Sequence, residues 1–337
     1  AYITGLLLWI ISVDSKYFLM AYHSGIFDVD NITDFNRISK RLSEKAKFLQ
    51  NMINEDLKPL FEFNSLINRV ETPIDWSIEK EHRINPRVVN LSYEEVYNQA
   101  YVIFQRNSHR IKKRYTSETW DNFWQKRFEW AAIGATFSQY IEDAKYLDSK
   151  RDFKNKMFML LAMPNNLSFN HFSDRKPCIQ SKTSIKYEWG KQRAIYGCDL
   201  TNFIMTQFCM QDCEDFLDKS IPMGSNSQPR IITNRLDSVL HNRVPLCLDF
   251  EDFNSQHSVS SMKAVLVAFA DVTSSLMSEE QRIAMTWVIK SIDDMIVHDE
   301  VGGLGTYKTN GTLFSGWRLT SFINSILNAI YYHYMAG

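Results

Sequence analysis

Leu248 to Ser258 reads L-D-F-E-D-F-N-S-Q-H-S, and this stretch decides the fold. Its first residues close a compact apolar run, Val244 to Phe250, with Pro245 at the entrance, a composition that predicts a buried strand. Asp249 sits where such a strand leaves the core. Strand alternation would send Asp249 and Glu251 to one face and Asp252 to the other. Acidic clusters of this kind are usually just solvated loop, so the weight falls on the continuation F-N-S-Q-H-S and on what accompanies it elsewhere in the chain. His257 reads as a helix-start histidine satisfied by a neighbour rather than as a general acid.

Three further stretches carry a pattern. Ser315 to Asn324, S-G-W-R-L-T-S-F-I-N, contains G-x-x-x-T-x-x-x-N. Steps of four put Thr320 and Asn324 on one helical face, with Gly316 supplying flexible or close-approach backbone just before the helix. Lys186 to Gly197, K-Y-E-W-G-K-Q-R-A-I-Y-G, concentrates Lys186, Lys191 and Arg193 around Glu188, and Arg175, Lys176 and Lys182 extend the positive field. Trp124 to Tyr140, W-Q-K-R-F-E-W-A-A-I-G-A-T-F-S-Q-Y, brings Arg127, Trp130, Gly134 and Ser138.

Taken in this order, the four segments resemble the signatures of totivirus-like double-stranded RNA virus RNA-dependent RNA polymerases, over roughly the last two thirds of the chain. The resemblance implies an α+β right-hand polymerase fold of fingers and palm, with an incomplete palm and no thumb. It implies transfer of ribonucleotides to an RNA 3′-hydroxyl, directed by a template and assisted by two Mg2+ ions, or Mn2+. Magnesium takes one or two carboxylates and completes its shell with water and phosphate oxygens, which suits Asp249 as the first metal ligand and catalytic residue.

By the same resemblance, Asn254, Ser315, Gly316, Thr320 and Asn324 attend the nucleotide. An amide such as that of Asn254 matches a 2′-hydroxyl that both donates and accepts. Lys186, Lys191 and Arg193 would neutralise the triphosphate, with Glu188 orienting a neighbouring arginine rather than touching substrate. Arg127 and Ser138 are assigned to the template. The implied partners are RNA template and product, ribonucleoside triphosphates and a viral capsid protein, fused or separate, inside a virion or in the host cytoplasm. The glycine-aspartate-aspartate signature of the family is expected downstream of Gly337, so this stretch alone is expected to be inactive. Two rivals are a non-catalytic RNA-binding or capsid-associated protein of the same shape, and a reverse transcriptase, which Asn254 and the order E-x-x-K-x-R disfavour.

Along the chain, 1–110 reads as an N-terminal helical region, 111–240 as fingers, and 241–337 as the first part of a palm with inserted fingers elements. Apolar residues of helical spacing between Thr33 and Leu57 predict an amphipathic helix. Ser92 with Glu95, and Ser278 ahead of Gln281, predict capped helix starts, the second carrying Ile283, Trp287, Ile292 and Ile296 on one side. Val70 to Leu91, with Pro73 and Pro86, reads as an irregular connection. Asn310-Gly311 between two short strand-like pieces predicts a hairpin. The run Arg106 to Tyr115 reads as a solvated face able to track phosphates.

Composition sets the outer limits. A content of 45% hydrophobic and 13% aromatic residues in 337 excludes a disordered chain. Lysine plus arginine (38) balance aspartate plus glutamate (39), so RNA contact must come from local clusters. Five cysteines without a C-x-x-C pair argue against zinc or a disulfide framework, and the apolar run Ala1 to Val13 is too short to span a bilayer. No membrane partner is expected.

Overall fold

The computed structural model describes residues 2–336 apart from 51, 62, 64–72, 148–149, 151–152, 189–190, 242–249 and 251. The chain is mixed α+β, mostly helical, with one four-stranded sheet. It divides into two compact units, Ala1–Asp75 with Ile185–Ala194, and Trp76–Ser184 with Ile195–Gly337.

In the first unit the helices Tyr2–Ser12, Ser15–His23 and Ile32–Gln50 enclose a core of Trp9, Tyr17, Ala21, Phe35, Leu57 and Phe63. The polar tips of its aromatic residues are satisfied by backbone. Trp9 Nε1 donates to the Pro59 carbonyl at 2.8 Å and the Tyr17 hydroxyl to that of Asp56 at 2.6 Å. The expected amphipathic helix is present as Ile32–Gln50 but stops short of Met52 and Ile53, which are exposed with Leu49, and the opening apolar run is a helix that buries Trp9.

The second unit is built mainly on helices. Tyr93–Arg106 and Glu279–Ser291 both start with a full capping box, from Ser92 and Glu95 and from Ser278 and Gln281, as their sequences predict. Leu200–Met210, capped by Asp199, is buried at every position, which is why it shows no amphipathic stripe. Val259–Thr273 packs against Tyr93–Arg106, and Thr320–Ala336 joins them through the rings of Phe104, Phe269 and Phe322, whose centroids lie 5.4 to 5.9 Å apart. That aromatic junction fixes the two helices whose first turns carry the motifs.

The sheet runs in the order β2-β1-β3-β4, with β1 at Ile179–Glu188, β2 at Lys191–Cys198, β3 at Met295–Asp299 and β4 at Gly305–Lys308. β1 and β3 are parallel, Ile179 opposite Met295, while β3 and β4 are antiparallel, Val297 opposite Tyr307.

Three local expectations are corrected. The helix Trp76–Ile84 occupies the segment read as an irregular connection, because Pro73 and Pro86 lie outside its ends rather than within it. The hairpin turn lies between β3 and β4, at 300–304, and not at Asn310-Gly311. Asn310 instead donates its amide to the Arg83 carbonyl, and Gly311, at φ 122°, lets the chain pass the His257 carbonyl, which an added Cβ would meet at 3.0 Å. Ile296 belongs to β3, since the helix of Trp287 stops at Ser291. The strand expected at Val244 to Phe250 falls, except for Phe250, outside the described residues.

Candidate nucleotide-binding site

After Asp252, whose left-handed φ of 45° turns the chain, Phe253–Gln256 forms one turn of 3-10 helix and delivers Asn254 and His257. Ser258 then caps the helix Val259–Thr273 by accepting the Ser261 amide at 2.9 Å. The loop ahead of Thr320 is laid beside this turn by two backbone bonds. Leu313 N donates to the Asn254 carbonyl and Thr312 N to that of His257, each at 2.8 Å.

Side chains then join the two motifs directly. Asn324 Nδ2 donates to Asn254 Oδ1 at 2.8 Å, and Asn324 Oδ1 stands 2.8 Å from His257 Nε2. His257 Nδ1 lies 3.1 Å from the Tyr331 hydroxyl. The imidazole is 0% exposed, and burial pushes its pKa down to about 4 despite the Asn324 bond, so it is neutral in the ordinary range. The satisfied helix-start histidine predicted from sequence is thus present, with its partners 67 and 74 residues away.

The S-G-W-R-L-T loop is fastened at nearly every residue. Ser315 Oγ accepts the Tyr196 amide at 3.1 Å, and Gly316 N donates to the Tyr196 carbonyl at 3.0 Å. A Cβ at Gly316 would stand 2.5 Å from that carbonyl oxygen, so the glycine serves close approach to the end of β2. Trp317 Nε1 donates to Asn202 Oδ1 at 2.6 Å. Thr320 Oγ1 donates to the Phe314 and Trp317 carbonyls, at 2.8 and 2.7 Å, and thereby ties the helix start to the loop before it. Its hydroxyl faces backbone, whereas Asn324, one turn on, faces the other motif.

Other groups at the site had been missed in the sequence. Arg318 donates from Nε to Gln207 at 2.6 Å and pairs with Glu214 at 2.5 Å; both side chains of the pair are at most 20% exposed. Arg83, 4% exposed, lies 4.4 Å over the Tyr196 ring and reaches the Leu313 carbonyl, while Glu79 accepts the Tyr196 hydroxyl at 3.0 Å. Apart from the i,i+4 pair of Glu79 with Arg83 at 3.8 Å, these partners are more than a hundred residues distant.

The template-side segment turns inward. Arg127, 1% exposed, donates to the carbonyls of Leu160, Trp124 and Met163 and to Asn165 Oδ1 at 2.6 Å, which makes it a brace for that segment. The Ser138 hydroxyl donates at 2.6 Å to Asp143, a fully buried carboxylate held by both amino groups of Arg175, at 2.9 and 2.8 Å. Burial drives the Asp143 pKa up, but Arg175, Ser138 and His171 outweigh it and hold the carboxyl below the usual range.

In the first unit, Lys186 on β1 and Arg193 on β2 are exposed, and Glu188 and Lys191 occupy the facing ends of the same two strands. Asp249 and Glu251 lie outside the described residues. Among the described residues no group of three or more His, Cys, Asp or Glu is arranged to hold a metal ion, and no helix is long and apolar enough to cross a membrane. Cys178, Cys198, Cys209 and Cys213 are buried free thiols.

A family model described as viral RNA-directed RNA-polymerase matches residues 9–337. The chain is 38% identical over 292 residues to the probable RNA-directed RNA polymerase of Saccharomyces cerevisiae virus L-A, covering 87% of this chain and 19% of that protein. With the corresponding protein of Saccharomyces cerevisiae virus L-BC it shares 36% over 288 residues, covering 85% and 19%. The probable RNA-directed RNA polymerase of Leishmania RNA virus 1 - 1 is 25% identical over 285 residues, covering 82% and 31%. The chain therefore spans about a fifth of the length of the two yeast-virus relatives. On this match and on the joined motifs, the chain belongs to the viral RNA-directed RNA polymerase family, in its totivirus-like branch.

Proposed function

We propose that this chain supplies the nucleotide-selecting part of a template-directed RNA polymerase, with fingers in 111–240 and the first part of the palm in 241–337. One observation supports it above all: Asn254 and Asn324, 70 residues apart, meet amide to amide at 2.8 Å beside a backbone-stitched loop. Two adjoining amides, one half-exposed at the tip of a tight turn, form a surface that can hydrogen-bond a ribose hydroxyl in either sense.

Asp249 is the proposed metal ligand. A carboxylate is a hard oxygen donor of the kind magnesium accepts, and the ions when bound would align the attacking and leaving oxygens. Lys186, Lys191 and Arg193 serve the triphosphate through charge, with Glu188 as an orienting group. Ser315, Gly316 and Thr320 act by shaping the loop that presents Asn324, since their polar groups are spent on Tyr196, Phe314 and Trp317. Ser138 and Arg127 order the template-side segment. RNA and ribonucleoside triphosphates are the proposed partners, with a capsid protein beside them in a virus particle or host cytoplasm.

The test is RNA-templated incorporation of ribonucleotides by the full-length gene product, with Asp249→Ala beside the parent. Loss of incorporation in the variant, with folding intact by circular dichroism, is the expected result. Incorporation that survives Asp249→Ala removes the metal assignment, and absence of incorporation in the parent removes the polymerase reading.

A further inference from the structure

The two motifs are connected by a single file of polar side chains. It begins at the Tyr331 phenol. From Tyr331 the file continues through His257 Nδ1 at 3.1 Å, His257 Nε2 to Asn324 Oδ1 at 2.8 Å, and Asn324 Nδ2 to Asn254 Oδ1 at 2.8 Å. His257 is 0% exposed and Tyr331 2%, so water does not interrupt the inner end of the file.

A neutral imidazole has one donor nitrogen and one acceptor nitrogen. The bonds on its two sides are therefore not independent, and only two arrangements satisfy every member. In the first, Tyr331 donates to Nδ1, Nε2–H donates to Asn324, and Asn324 donates to the Asn254 carbonyl, which leaves the Asn254 NH2 turned outward. In the second, every bond reverses and Asn254 turns its carbonyl outward. The bonds of Asn324 fit the first, with its Oδ1 toward His257 Nε2 and its Nδ2 donating to Asn254 Oδ1. Burial keeps both switching groups in the needed state, with His257 pushed down to about 4 and Tyr331 pushed up to about 12. Among the described residues, Asn254 Nδ2 has no protein acceptor.

We propose that His257 and Tyr331 are positioning residues for sugar selection, holding the Asn254 amide with its NH2 toward the 2′ position of the incoming nucleotide so that the 2′ substituent must accept a hydrogen bond. This rests on the ribonucleotide reading of the same site. It predicts an order of binding that a reversed amide does not give. A 2′-fluoro nucleotide accepts and cannot donate, so it binds nearer to the ribonucleotide than the 2′-deoxy nucleotide does.

The experiment measures equilibrium binding of GTP, 2′-fluoro-2′-deoxy-GTP and 2′-deoxy-GTP to the full-length protein with magnesium present. In the parent, GTP binds tightest and the fluoro analogue lies between. His257→Phe, which removes both ring nitrogens, lowers the GTP-over-deoxy ratio about fivefold, the size of one neutral hydrogen bond. His257→Gln, whose amide both donates and accepts, restores it. Tyr331→Phe loses only the oxygen at the start of the ring's file and keeps the test open should His257→Phe not fold. In the parent, 15N shifts of His257 report the Nε2–H tautomer. An unchanged ratio in both the His257→Phe and Tyr331→Phe variants, with Asn254→Ala lowering it, overturns the relay while leaving the ribose site standing. An unchanged ratio in Asn254→Ala overturns the ribose site itself, and an Nδ1–H tautomer overturns the stated direction.

Discussion

Gly316 and His257 show how single residues set this site. Because an added methyl at Gly316 would meet a backbone oxygen at 2.5 Å, Gly316→Ala is expected to lower stability by about 1–3 kcal/mol, read as a fall in the urea midpoint. An unmoved midpoint would mean that the loop can retreat from Tyr196. His257 makes a pH prediction with a definite sign. Its folded pKa, near 4, is below the unfolded value of 6.5, so its contribution is complete above pH 6.5 and is lost as pH falls toward 4. The loss amounts to about 3 kcal/mol at 1.36 kcal/mol per unit. Asp199, pushed up to about 6 by burial, works the other way, since it destabilises as pH rises from 3.8 to 6. The informative quantity is therefore the difference between parent and His257→Gln from pH 4 to 7, and parallel curves would remove His257 as the source. At this scale Gly316 and His257 were legible, since glycine before a helix and histidine at a helix start carry local meaning. Arg318 and Arg83 were not, because their partners Glu214 and Leu313 are brought to them by the fold.

Helix starts were the most legible elements, since a capping box is written within four residues. Ser92→Ala and Ser278→Ala should each cost about 1 kcal/mol, and their sum should hold in the double variant because they cap separate helices. A pronounced shortfall in the sum, by thermal or urea unfolding, would show coupling through the helix packing. The template-side element depends on a different device. Asp143 is 0% exposed and both its oxygens face Arg175, so Arg175→Met should destabilise by about 3–5 kcal/mol by leaving a buried charge unpaired. A change under about 1 kcal/mol in chemical denaturation would contradict that pairing. Elements whose signals point two ways were misread. Two prolines made 76–84 look broken although both lie outside the helix, and the turn dipeptide Asn310-Gly311 was used to clear the His257 carbonyl rather than to reverse a strand.

Over the whole molecule, 38 basic and 39 acidic residues cancel, so affinity for RNA has to come from confined clusters. If the hairpin cations serve that role, Lys186→Ala and Arg193→Ala should each flatten the dependence of log K on log salt for single-stranded RNA by about 0.7. Slopes identical to the parent would place the phosphate contacts elsewhere. Sequence by itself determined the family, the order of the four motifs, the capped helices and the small side chain required at Gly316, because each is encoded by residues a few positions apart. Tertiary structure alone decided that Asn254, His257, Asn324 and Tyr331 form one file, that Thr320 spends its hydroxyl on the loop carbonyls of Phe314 and Trp317 while Asn324 reaches the other motif, and that Arg127 faces carbonyls. Those outcomes depend on which distant groups occupy the other end of each hydrogen bond, and buried polar groups must find such ends wherever packing puts them.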